Sequence, residues 1–312
     1  MPPPSPFLQD SRDPISGQPG ADEGNQAPPS PDRPWYATGV LLDAEDFQAE
    51  QLYHRARLAE AVRGLGGCGT LAGLKVEWRD ARAAQGDSPA REEEILVQPG
   101  LAVDRFGRLI AVSQPTCLRL NPWLARLKNT ETLLRDLSVD GGTIQEIVAD
   151  VFLRFLALPR GYTPAQAAGP FDATDAVQPS RVRDSHLLLL QPRPNSMPLL
   201  GWLPEDPWAE VRTPPSPANR WAELQRLILE GGPSGAERWS GGTAPPRSEH
   251  EGGVDPRMVF LARLRIPVSP AGAPPLRRLA GQAVTVRNDL REFVLSIPAL
   301  AAWAGMPVRS TP

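Results

Sequence analysis

The stretch Glu94-Ile95-Leu96-Val97-Gln98-Pro99-Gly100-Leu101-Ala102-Val103-Asp104-Arg105-Phe106-Gly107-Arg108-Leu109-Ile110-Ala111-Val112 decides the fold class. Glu94–Gln98 is a strand, Pro99-Gly100 a turn, and Leu101–Val103 with Arg108–Val112 a hairpin around Asp104-Arg105-Phe106-Gly107. Short aliphatic runs separated by turn residues specify antiparallel pairing. Leu71–Trp78 alternates well enough to supply a strand before this block, across a polar loop at 79–92. Thr116–Leu120 supplies one after it.

Upstream lies one strong helix. Asp43 is a good N-cap, and Asp46 complements the positive helix end. Phe47, Gln51, His54, Leu58, Val62 and Leu65 follow a period of about 3.5, and Tyr53, Ala56 and Ala59 widen the apolar face. The helix is expected from about Ala44 to Arg63, stopped by the glycines at 64, 66, 67 and 69. It is expected to pack on the strands.

Downstream, Asn121-Pro122 signals a second helix, expected to end near Leu137. Ile147–Leu158 fits strand alternation at Val151, Leu153 and Phe155. A Pro/Ala/Gly loop is expected at 159–182, then a strand from Val182 to Gln191. Residues 192–219 read as irregular, Trp221–Leu229 as a short helix, and 230–255 as low-complexity. Met258–Ile266 and Ala283–Val286 read as strands, and Asn288–Ala304 as a mostly helical end. The expected fold is α+β, mainly antiparallel β, with one long N-terminal helix. It forms a composite domain over 35–312, with Pro/Gly-rich flexible insertions near 159–180, 192–219 and 230–255. Residues 1–34 carry too few large apolar side chains to offset ordering and are expected to be a disordered tail.

Composition narrows the function classes. The chain has 312 residues, enough for a sizeable core without disulfides or metals. Its 37 prolines are several times the number of cysteines, histidines and methionines combined, which implies much loop. The net charge is −3 and no basic stripe marks a nucleic-acid binder. Two cysteines, Cys68 and Cys117, exclude a disulfide-rich scaffold; they are either one bridge or two buried thiols. No apolar run is long enough to span a membrane as a helix, and residues 1–34 lack the pattern of a secretory signal.

No residue pattern points to chemistry. Asp46 and Glu50 share a helix face, but a metal site needs more ligands than these. His54 lies one turn after Glu50 and reads as a half-buried helix histidine rather than a general base. His186 and His250 form no triad pattern with it. Cys68 follows the helix C-terminus, where the dipole disfavours a thiolate. The Gly64–Gly69 cluster has its helix before the glycines, the reverse of a phosphate loop. No cofactor or metal is therefore expected, and the chain is expected not to be an enzyme. Arg181 and Arg183 alternate onto one strand face, either to meet a partner carboxylate or simply to be solvated. Trp202, Trp208, Trp221 and Trp239 stand in or beside Pro-rich stretches, as interface anchors or local plugs; anchors are the preferred reading.

Residues 36–112 carry a recognisable order of motifs: Tyr36, Gly39, Leu41, Leu42, then Asp46, Phe47, Glu50, Gln51, Tyr53, His54 and Arg57. Gly73, Leu74 and Val76 follow, then Pro99, Gly100, Ala102, Asp104, Gly107 and Arg108. This order resembles proteins encoded with phage-tail-like contractile injection systems. Ser180–Asp184, Val259–Ile266, and Arg287-Asn288 with Arg291 are similar to later steps of that family. Its corner carries a histidine where this chain has Gly66. The resemblance implies a structural part of the tail or baseplate, with other tail or baseplate subunits as partners. It implies no known catalysis. The missing basic stripe and missing long apolar run add the expectation of no nucleic acid and no membrane insertion, and the expected location is cytoplasmic, in a particle that can be released. The alternatives are a stand-alone carbohydrate- or protein-binding β module and, third, a hydrolase with a dispersed site.

Overall fold

A computed structural model describes residues 32–86, 89–139, 142–164, 177–197, 225, 229, 255, 257–269, 276–297 and 299–300. The chain is α+β and mainly antiparallel β. Helix α1 (Ala44–Gly66) comes first, followed by strands β1 (Gly69–Gly73), β2 (Val76–Arg79), β3 (Glu94–Val97), β4 (Gly100–Val103), β5 (Leu109–Val112) and β6 (Thr116–Arg119). A short helix α2 (Leu120–Leu124) precedes β7 (Leu134–Val139), β8 (Gly142–Pro164), β9 (Val177–Pro192), β10 (Val259–Val268) and β11 (Thr285–Arg287).

Two small sheets, β1-β4-β5 and β2-β3-β6, are built by the same two bent segments. Residues 69–79 pair antiparallel with 94–103 along their whole length. Both segments bend at the same level, so the pair leaves one sheet and enters the other. Leu74 Nα donates to the Pro99 carbonyl at 3.2 Å and Gln98 Nα to the Lys75 carbonyl at 2.9 Å, carrying the ladder through the bend. The single strand expected over Leu71–Trp78 is therefore two strands. Leu74, with φ of 55°, is the break.

The largest sheet runs β11-β10-β8-β7, with β9 also on β8. β7 and β9 lie end to end along one edge of β8, pairing through Leu134↔Ile147 and Ala149↔Pro192, while β10 takes the other edge from Gln145 to Leu153. Beyond Leu153, β8 and β9 continue alone as a two-stranded ribbon as far as Pro164↔Val177. Ile147, Ala149, Val151 and Leu153 of β8 join Leu261, Leu264 and Ile266 of β10 in one apolar core. Val76, Ile95 and Val97 of one small sheet and Ala102, Ile110 and Val112 of the other belong to the same core.

Several expectations are corrected. The second helix is only Leu120–Leu124, and Leu134–Val139 is a strand, because pairing with β8 overrides local helix preference. Asn121 does not cap it; Arg119 holds that position without a side-chain bond. The loop expected at 159–182 is strand at 159–164 and 177–182, since the cross-strand pairing persists through its prolines. The helix expected from Asn288 is not helical before Ile297; Phe293 instead bridges to Thr70 in parallel. Both cysteines are free thiols, Cys68 half-buried and Cys117 exposed, so neither a bridge nor a pair of buried thiols is present. Finally, α1 does not pack its Phe47–Leu65 stripe on the strands. Its single buried residue is Ala59, one of the three expected only to widen that face, with Tyr53 and Ala56 half-buried beside it.

Candidate interaction surface and its supports

The motif residues from Gly73 to Arg108 gather at two joints, whereas those from Tyr36 to Arg57 lie before and along α1. At the first, Gly73 and Gly100 are register partners across the bend. A Cβ on either would overlap the opposite backbone, at Pro99 for Gly73 and at Ala72 and Leu74 for Gly100. Gly73 also sits at φ of 63°. Only glycine at both positions lets the two segments cross this closely.

The C-terminal segment locks that crossing. Asn288 Oδ1 accepts from Val76 Nα at 2.9 Å, and Asn288 Nδ2 donates to the Val76 carbonyl at 2.9 Å, as a paired strand residue would. Arg291 Nη1 donates to the Leu74 carbonyl at 2.8 Å, and its Nη2 donates to Asn288 Oδ1. Burial pulls the Arg291 pKa down to about 10. The carbonyl exposed by the left-handed Leu74 thus receives a buried guanidinium.

The second joint is the β4–β5 turn. Asp104 is fully buried; its Oδ1 accepts from Phe106 Nα and Arg108 Nα, each at 2.9 Å, and its Oδ2 accepts from Arg108 Nε at 2.6 Å. Burial pushes the Asp104 pKa up, against the pull of Arg108 and the two amides. The Arg108 guanidinium stacks 4.6 Å from the centre of the Phe155 ring of β8, tying the turn to the large sheet. Gly107, at φ of 83°, touches the Ala59 backbone of α1, and a Cβ there would overlap the Ala59 carbonyl. Helix α1 rests on the body at this contact.

The start of α1 is fixed locally. Asp43 Oδ1 accepts from Glu45 Nα and Asp46 Nα, and Asp46 Oδ2 accepts from Asp43 Nα, a complete capping box. Glu50 bonds the Tyr36 hydroxyl, which raises the Tyr36 pKa, and lies 3.9 Å from His54 Nε2. Arg57 stands over the Tyr53 ring. His54 is exposed, not half-buried as expected, and so are Phe47 and Gln51. Arg181 and Arg183 are exposed on the outer part of the ribbon, and Arg160 is the register partner of Arg181. Trp202, Trp208, Trp221, Trp239 and His250 lie outside the described residues. His186 is within β9, with Nε2 3.4 Å from Thr116 Oγ1.

Sequence reasoning missed a charged network on the second face of the large sheet. Asp150 accepts from Arg193 Nη1 at 2.8 Å and from Arg263 Nε at 2.8 Å. Glu146 accepts from Arg265 Nε and Nη2 at 3.0 and 2.8 Å. Asp150, Arg193 and Arg263 are all buried. Charged residues spaced by two or four inside otherwise apolar runs were the available signal, because strand alternation sends them to one face. Among the described residues, no group of three or more His, Cys, Asp and Glu could hold a metal, and no helix is long and apolar enough to cross a membrane.

No protein-family model matches the chain, and no curated protein matches it.

Proposed function

We propose that this chain is a structural subunit of a phage-tail-like contractile injection particle, in or near the baseplate. One observation carries the reading: the residues of the second half of the motif order, from Gly73 to Arg108, meet at two joints. Gly73, Leu74, Pro99 and Gly100 make a bend, and Asp104 and Gly107 make the seat of α1. Their donors and acceptors are spent on backbone and neighbouring side chains, as in a part whose output is shape. Helix α1 and the β8–β9 ribbon then present surface to neighbouring subunits. The ribbon contributes Arg160, Arg181 and Arg183, whose forks suit carboxylates on a partner.

The test is purification of the tagged chain from its native host, with mass spectrometry and negative-stain microscopy. Sheath, tube and baseplate proteins on rod-shaped particles are the expected company. A lone chain from cells shown to be making particles overturns the proposal and turns attention to a stand-alone binding module or an enzyme.

A further inference from the structure

We infer that α1 pairs antiparallel with α1 of a second copy of this chain. The inference does not rest on the particle reading, and either can fail alone. It starts from spacing. Phe47, Gln51, His54, Leu58, Ala61 and Leu65 are separated by four, three, four, three and four residues, the seam of a two-helix coil. All six are exposed; Phe47, Leu58 and Leu65 are 50%, 60% and 92% open. The body uses the other side of the helix, through Ala59 with Leu52, Tyr53 and Ala56 half-buried around it. The seam and the seat therefore do not compete.

The occupant follows from the seam's own order. Reversed about Ala56, the stripe matches itself: Phe47 meets Leu65, Gln51 meets Ala61 and His54 meets Leu58. A parallel pair would instead stack Phe47 on Phe47 and His54 on His54. Charge selects the same direction. The half from Ala44 to His54 holds Glu45, Asp46 and Glu50 with no Lys or Arg, whereas the half from Arg55 to Gly66 holds Arg55, Arg57 and Arg63 against Glu60 alone. Glu45 and Arg63 lie on the seat side with Ala59, so the charges beside the seam are Glu50, Arg55 and Arg57; antiparallel pairing puts Glu50 on the same flank as Arg57 of the copy and opposes the two helix dipoles. Arg55 and Arg57 flank the two-fold and approach their own copies, which limits affinity; Arg57 is already paired with Glu60 at 3.1 Å. A 23-residue helix is about 34 Å long. A seam of that length buries on the order of 1,000 Å2 in total, the lower bound for a specific contact, so the dimer is expected to be in exchange with monomer. The interface is isologous, with the same patch on both copies.

Two measurements on the full chain test this. Sedimentation velocity from low to high micromolar concentration should show a monomer–dimer equilibrium that Leu58→Asp weakens roughly tenfold or more, with the far-UV spectrum unchanged. A monomer throughout, or a dimer indifferent to Leu58→Asp, overturns the inference. In a Cys68→Ser/Cys117→Ser background, Gln51→Cys mixed with Ala61→Cys should form the mixed disulfide dimer. Gln51→Cys alone should not, because its two copies would stand about 15 Å apart along the axis. Ready self-linking of Gln51→Cys overturns the antiparallel arrangement.

Discussion

Helix α1 and strand β8 are each 23 residues long, and they are stabilised in opposite ways. In α1 one residue is buried; in β8 the eight residues from Glu146 to Leu153 are buried in succession, on both faces. The helix relies on neighbours in sequence: a capping box at Asp43 and Asp46 and the Arg57–Glu60 pair. The strand relies on neighbours in space, with β7, β9 and β10 along its edges and arginines from distant segments on its carboxylates. An element specified locally can leave a face open, whereas the stretch 146–153, specified by the whole fold, has none to spare; beyond Leu153, where β10 no longer pairs, the same strand is partly open again.

The largest effect should come from the strand. Asp150→Ala leaves Arg193 and Arg263 without their shared carboxylate in a buried site, a loss of about 3–5 kcal/mol. Urea unfolding measures it; a loss near zero would mean that β8 is not held by these charges. Gly107→Ala should come next, at about 1–3 kcal/mol for the left-handed backbone alone, and it pushes α1 off its seat. Hydrogen exchange should rise across 44–66 and stay low across 146–153; equal protection in both would contradict the seat at Ala59. Asp43→Ala should cost least, about 1 kcal/mol. Its mark should be faster exchange of the first-turn amides of α1, with no change in β8. Exchange that spreads to β8 would erase the distinction between the two elements.

Legibility in the sequence follows the same division. The start of α1, the β4–β5 hairpin and the Pro99-Gly100 turn could be read, because each is set by residues close in the chain; the matching bend at Gly73-Leu74 could not, and Leu71–Trp78 reads as one strand. Which face of α1 meets the body could not. The larger Phe47–Leu65 stripe suggested the core, but the contact is through Ala59, whose small side chain lets the backbone reach Gly107. Leu134–Leu137 reads as the end of a helix because its strand character comes from Ile144, Ile147 and their neighbours, not from its own spacing. The ribbon at 159–164 and 177–182 was hidden by prolines, which an edge strand tolerates. At the candidate surface, Asp104 and Gly107 were legible as a turn, but Asn288 and Arg291 as the lock on Leu74 and Val76 were not. Nothing local links residues 212 and 217 positions apart.

That separation bears on how the protein is made. When Val76 leaves the ribosome, Asn288 has not been synthesised, and at typical elongation rates it follows roughly 10 to 40 s later. Until then the bend has no lock, and the Leu74 carbonyl has no guanidinium to accept from. The nascent chain can form its helix and its hairpin early, since both are local. Closure of the corner waits for residues 288–291, so a chain that stops before Asn288 keeps its turns but never closes its bend.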